Sequence, residues 1–176
     1  MHDVAHEVQR QPCSARHCVL RLRHHHQHDG EHHHAAQEHD LERPQVREQL
    51  GLNPAKKTAV IFSHVLWDAT CFYGEGLFDD YESWLLQTVR AACANPRVNW
   101  IIKLHPDLVW KLKYEGHVGE LRDTIAIRSA VGSLPEHVKL VPPDTDIDTY
   151  SFFDIADYCL TVRGTIGIEM ACRGVP

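Results

Sequence analysis

Nowhere in these 176 residues is there an unbroken apolar stretch of the roughly 18 residues that a membrane span requires. The N-terminus also lacks the charged region followed by an apolar segment that marks a secretory signal. Basic charge is scarce. Eighteen Lys and Arg stand against 24 Asp and Glu, giving a formal charge of −6 and a pI near 6.2. That balance excludes a dedicated nucleic-acid binder, whose phosphate contacts need a basic surface. The six cysteines (Cys13, Cys18, Cys71, Cys93, Cys159, Cys172) show no paired spacing. Three sit inside apolar periodic segments, where a free thiol behaves as a small hydrophobe, so neither a disulfide framework nor a zinc knuckle is expected. These absences predict a soluble, cytosolic protein with room for one ordinary domain and a tail.

What is abundant is histidine, and it is unevenly placed. Eleven of the 15 histidines lie in the first 39 positions, with His24, His25, His26, His28, His32, His33 and His34 the densest group. Imidazoles at this density can take up zinc, nickel or copper. The same stretch has almost no branched or aromatic side chains, so it cannot bury enough apolar area to offset the entropy of ordering. We read residues 1–50 as a low-complexity, disordered tail, with at most a weak helix over 35–50 and no dedicated metal site.

From Lys56 onward the pattern alternates between strand and helix. Ala59-Val60-Ile61-Phe62 is a short continuous apolar run of the kind covered on both faces in a parallel sheet. Asp79 is positioned to cap a helix in which Tyr81, Trp84, Leu85, Val89 and Ala92 recur at helical spacing. Further strands are expected over 98–104, 138–141 and 158–162, with helices over 118–131, near 148–155 and from Thr165. Residues 51–176 therefore predict an α/β fold, a Rossmann-like doubly wound parallel sheet built from right-handed crossovers.

In such sheets ligands bind beyond the carboxyl ends of the strands. Four segments fall there. The first strand is followed by a run from Ser63 to Thr70 that contains Asp68, and then by Gly74-Glu75-Gly76. The second ends in Lys103-Leu104-His105-Pro106. The third leads into Pro142-Pro143-Asp144-Thr145-Asp146, an acidic turn without the glycine and distal glutamate of a calcium loop. The fourth runs into Arg163-Gly164-Thr165 and a helix start. Here Thr165 as N-cap and the glycines beside it would present backbone N–H groups to an anion. His105, its backbone restrained by Pro106, can donate to a phosphate oxygen or act as an acid. Glu169, one turn inside the helix, can accept the two hydroxyls of a ribose, and Arg163 can neutralise a diphosphate. Asp68 is either a catalytic carboxylate or an aspartate that caps N–H groups in a buried turn.

The segments Ala59 to Asp68, Ile101 to Pro106, and Asp157 to Pro176 with its Gly164-Thr165-Ile166-Gly167-Ile168-Glu169 core are similar to the C-terminal domain of bacterial capsule polysaccharide biosynthesis glycosyltransferases. These are GT-B enzymes of the Kdo-transferase type. The resemblance covers residues 46–176. It implies one half of a GT-B fold binding a CMP- or UDP-linked sugar donor, with no bound cofactor and no metal. Carried over by position, His105 and Thr165 would contact the nucleotide phosphates and Glu169 the ribose or a nearby sugar. Lys103, Arg163 and Gly164 join them as candidate binding residues, and His105 and Asp68 are the candidate catalytic residues. The implied partners are a polysaccharide or lipid-linked acceptor and, peripherally, membrane-bound capsule export machinery. Related glycerophosphotransferases share the scaffold, so CDP-glycerol is the alternative donor, and a non-catalytic nucleotide- or glycan-binding module is the other reading. No acceptor domain is recognisable and the last helix is short, so the expectation is a nucleotide-binding half, feeble or inactive alone.

Overall fold

The computed structural model describes residues 43–66, 77–115 and 119–176. Four strands form one parallel sheet: β1 (Thr58–Phe62), β2 (Asn99–Lys103), β3 (Val138–Val141) and β4 (Tyr158–Leu160), in the order β3-β2-β1-β4. Six helices accompany them: α1 (Arg43–Gln49), α2 (Tyr81–Cys93), α3 (Asp107–Glu115), α4 (Arg122–Val131), α5 (Ser151–Ile155) and α6 (Thr165–Cys172). The chain steps outward from β1 through β2 to β3, then returns by α5 to place β4 on the far side of β1. That reversal makes the carboxyl ends of β1 and β4 the switch point at which doubly wound sheets open a crevice.

Both faces of the sheet are covered, which is why β1 reads as an unbroken apolar run. Every residue of β1 is buried. Ile61 and Ile102 point to one side, where Tyr81, Trp84, Leu85, Val89 and Ala92 of α2 pack with Ile127 of α4 and Leu108 of α3. Val60, Phe62 and Ile101 point to the other, against Val46 of α1, Phe152, Phe153 and Ile155 of α5, and Met170 of α6. Alternate residues of one strand thus serve two cores.

The two ends of the sheet are treated differently. At the amino ends, Arg47 donates to the carbonyl oxygens of Ile155 and Lys56 and to Thr58 Oγ1. Asn99 exchanges hydrogen bonds with the backbone of Asn53 at 3.1 and 2.8 Å, and Asp157 accepts from the Thr58 N–H at 2.9 Å. Lys57 closes that edge with a 2.6 Å ion pair to Asp157. Backbone groups that would be orphaned where strands begin are satisfied there by side chains. The carboxyl ends carry loops that leave a cavity.

Several elements differ in detail from the sequence expectation. The cap of α2 is Asp80, not Asp79: its carboxylate accepts from the Ser83 N–H at 2.6 Å. This register puts Tyr81, Trp84 and Leu85 on the buried face. Helix α4 begins at Arg122 and α5 at Ser151, both later than their periodicity suggests. Helix α3 is an addition. It starts directly after Pro106; Leu108 is buried, while Trp110 and Tyr114 are exposed, so no clear apolar stripe announces it.

Asp123 stands out on α4. Its carboxyl is fully buried and neither oxygen has a hydrogen-bond partner among the described residues. Burial pushes its pKa up to about 6, against the weak pull of its own backbone N–H, too poorly aligned to count as a hydrogen bond, and of Arg122, while Glu82 adds to the rise. Because the raised value belongs to the folded state, Asp123 favours folding below the unfolded carboxylate pKa, and that contribution is lost as pH rises through about 6. Asp123→Asn should therefore melt higher than the parent protein at pH 8, with the difference vanishing near about pH 4. Thermal melts at both pH values check this, and an equal gain at both would show that titration is not the cause.

Candidate functional site

The cavity lies at the carboxyl ends of β1, β2 and β4, where the switch point predicts it, and has a volume of about 190 Å³. Its walls are Phe62, Ser63 and His64 after β1; Lys103, Leu104, His105 and Pro106 from β2; Thr149 before α5; and Thr161, Gly164, Thr165 and Ile166 from the turn between β4 and α6. No carboxylate is among these residues. Two imidazoles, one amine and four hydroxyls are.

The loop after β2 is tied to the loop after β1. The backbone N–H of His105 donates to Ser63 Oγ at 3.0 Å. The His105 ring is oriented as well, because its Nδ1 accepts from the Asp107 N–H at 3.2 Å, in the manner of a cap at the start of α3. With Nδ1 accepting, the neutral ring carries its proton on Nε2, which makes Nε2 the donor atom. The Asp107 carboxylate is 3.9 Å from Nδ1.

Lys103 is 3 % exposed, and its ammonium donates to the carbonyl oxygens of Leu104 at 3.0 Å and Pro142 at 3.2 Å. It joins the loops after β2 and β3. Burial lowers its pKa to about 8, against the opposing pull of Asp144 and Asp148. A cation close to its own titration point lines the cavity while two of its protons are committed to backbone.

On the other side, the β4–α6 turn is tight. Arg163 adopts φ 57°, the left-handed region that costs a non-glycine residue about 1 kcal/mol or more. Gly164 is the N-cap of α6, with extended φ −82° and ψ 140°, and Thr165 is the first helical residue. This corrects the expectation that Thr165 caps the helix. The reason is steric: a Cβ on Gly164 would sit 2.8 Å from Thr161 Oγ1 and 3.3 Å from His64 Cε1. No side chain caps this helix start.

The structure thus brings Lys103, His105, Gly164 and Thr165 to one cavity. It does not bring Arg163 or Glu169 to that wall. Arg163 is exposed. Glu169 is half-buried beside Tyr150, whose phenol is pushed up by its own burial first and then by the Glu169 carboxylate. Asp68 and the Gly74–Gly76 loop lie outside the described residues. Ser63, His64, Thr149 and Thr161 also line the site, and sequence reasoning did not single them out. His64 sits in the strand-end window that the sheet rule highlights, whereas Thr161 reads as part of a strand.

Among the described residues, no group of three or more His, Cys, Asp or Glu is arranged to hold a metal ion, and no helix is long and apolar enough to cross a membrane. No protein-family model matches the chain, and no curated protein matches it in sequence.

Two outcomes follow. Gly164→Ala should destabilise the fold by roughly 1–3 kcal/mol, the usual penalty for a methyl forced into packed surroundings. Gly119→Ala, where an added Cβ meets nothing within 4 Å, is the control and should stay within about 0.5 kcal/mol. Denaturant melts of both variants make the comparison. Lys103 titrates below its unfolded value, so its burial penalty applies in neutral solution and is relieved as pH rises above about 8. The melting temperature of the parent protein should then gain on that of Lys103→Met between about pH 7 and 10, and a constant gap would exclude a titrating amine.

Proposed function

We propose that this chain carries the nucleotide-binding half of a glycosyltransferase of surface polysaccharide assembly, and that the cavity receives the diphosphate of a nucleotide-activated sugar. One observation carries the reading: His105 and the Gly164-Thr165 helix start, about sixty residues apart in sequence, line the same cavity at the sheet's switch point. An anion held there gains from the backbone N–H groups and positive dipole end of α6. His105 Nε2 supplies a directed donor from the opposite loop, and among the described residues no carboxylate lines the wall to repel phosphates. The cavity's 190 Å³ is below the 300–1,000 Å³ usual for a whole organic ligand. It suits the phosphates and leaves sugar and acceptor to a facing surface.

In this reading His105 is positioned to protonate or stabilise the leaving phosphate as the glycosidic donor bond breaks, and the protein needs no metal of its own for that step. Lys103 acts through the loops it joins more than through a direct contact. The acceptor is a polysaccharide or a lipid-linked saccharide, with assembly near the inner membrane face. CDP-glycerol is the donor that would replace the nucleotide sugar if glycerophosphoryl transfer were the reaction.

Calorimetric titration with CMP, UDP, CDP and CDP-glycerol tests the reading. A nucleoside diphosphate should bind more tightly than the matching monophosphate, and His105→Ala should weaken it about tenfold, the worth of one charge-assisted hydrogen bond. Wild-type affinity in both His105→Ala and Thr165→Ala would overturn the assignment. A preference for CDP-glycerol over sugar nucleotides would transfer it to the glycerophosphotransferases.

A further inference from the structure

Thr161 occupies an unusual seat. A Cβ on Gly164 would come within 2.8 Å of its hydroxyl, and a Cβ on Gly167 within 2.8 Å of its methyl. Two glycines, one capping α6 and one in its first turn, therefore close on a single side chain. The Gly167 N–H bonds back to the Gly164 carbonyl at 3.1 Å, so the cap and the first turn move as one piece over Thr161. Between Thr161 and Gly164 the chain must pass through Arg163 in its left-handed conformation, a state that persists only where its surroundings dictate it.

What holds Thr161 in turn is His64, from the adjacent strand end. His64 Nε2 is 3.2 Å from Thr161 Oγ1. The imidazole is itself fixed: it stacks on Tyr81 at 4.6 Å and 26° and meets the edge of Trp84 at 6.2 Å. Both aromatic residues belong to the buried face of α2. A rigid core element thus orients a ring, the ring orients a hydroxyl, and the hydroxyl with its methyl shapes the strained turn.

We propose that His64 and Thr161 are positioning residues that clamp the β4–α6 turn, so that the first N–H groups of α6 face the cavity. His64 acts through Thr161 and not through the reacting atoms. The affinity part of this inference rests on the diphosphate reading of the cavity; the clamp itself does not.

The variants separate hydrogen bonding from shape. Thr161→Val keeps the methyl under Gly167 and removes the hydroxyl. His64→Ala removes the ring, while His64→Gln restores an amide able to donate or accept to Thr161. Two readouts are taken on the full chain: affinity for inorganic pyrophosphate and for CDP by calorimetry, and hydrogen exchange of the Gly167 amide. Thr161→Val and His64→Ala should each lose about tenfold in affinity and exchange about tenfold faster at Gly167, the scale of one hydrogen bond. His64→Gln should stay within about threefold of the parent protein in both. If Thr161→Val exchanges at the wild-type rate, the clamp is refuted, and that variant decides the matter even where His64→Ala fails to fold. If the parent protein binds neither pyrophosphate nor CDP while exchange still accelerates in Thr161→Val, the clamp stands and the diphosphate reading falls.

Discussion

Strand β1 sits between two neighbours that are distant in sequence, and the geometry of the site descends from that placement. Its parallel registers with β2 and β4 run Thr58 opposite Asn99 and Ala59 opposite Tyr158, so all three strands end at nearly the same level. Parallel pairing requires each connection to cross a face of the sheet, and here the crossovers leave by opposite faces on the two sides of β1. The residues that follow β1, β2 and β4 consequently meet around one cavity, with His64 and Thr161 in contact across it. Burial of all five β1 residues locks the register, since a one-residue slip would exchange Ile61 with Val60 and Phe62 between two differently shaped cores.

Electrostatics acts on that cavity locally, against the charge of the whole. With a formal charge of −6 the protein offers no long-range attraction to a phosphate. Any anion affinity must come from short-range, oriented groups: the start of α6, the imidazoles, and an amine kept in place by two carbonyls. The commitment of Lys103 to Leu104 and Pro142 has a structural consequence, since the loops it bridges also carry His105 and the acidic turn before α5. Asp144 and Asp148 reach Lys103 through their charge but do not line the cavity, so they balance the amine without confronting a ligand.

How much of this was legible in the sequence depends on the length scale of the cause. The strands could be read because a sheet covered on both faces demands continuous apolar runs, which Ala59 to Phe62 supplies, while the edge strand Val138 to Val141 shows a weaker version interrupted by Lys139. The face of α2 followed from its periodic Tyr81, Trp84, Leu85, Val89 and Ala92. The convergence of His105 with Gly164 and Thr165 followed from the strand-end rule alone. Helix α3 was hidden because its exposed Trp110 and Tyr114 blur the apolar face that carries the buried Leu108. The cap of α6 was misplaced because threonine and glycine are about equally good intrinsic N-caps, and glycine at 164 is imposed by Thr161 across the turn, a contact that local propensity does not contain. Glu169 lay on the expected helix, but it interacts with Tyr150 at the start of α5 and does not line the cavity.

The same distinction explains why His64 escaped notice while His105 did not. His105 is followed by proline, a local signal that restrains the backbone, whereas nothing adjacent to His64 in sequence marks it. Its role is created by three partners from separate elements: Tyr81 and Trp84 on α2, and Thr161 at the end of β4. A stacked ring in contact with a buried helix has little rotational freedom left to lose, so tying it to Thr161 costs less conformational entropy than tying a free side chain would. The strained φ of Arg163 needs such a pre-ordered neighbour, because an equally mobile one would relax with it. Rigidity in the α2 core therefore reaches the turn by contact: Tyr81 stacks on His64, His64 meets Thr161, and Thr161 limits the space at Gly164.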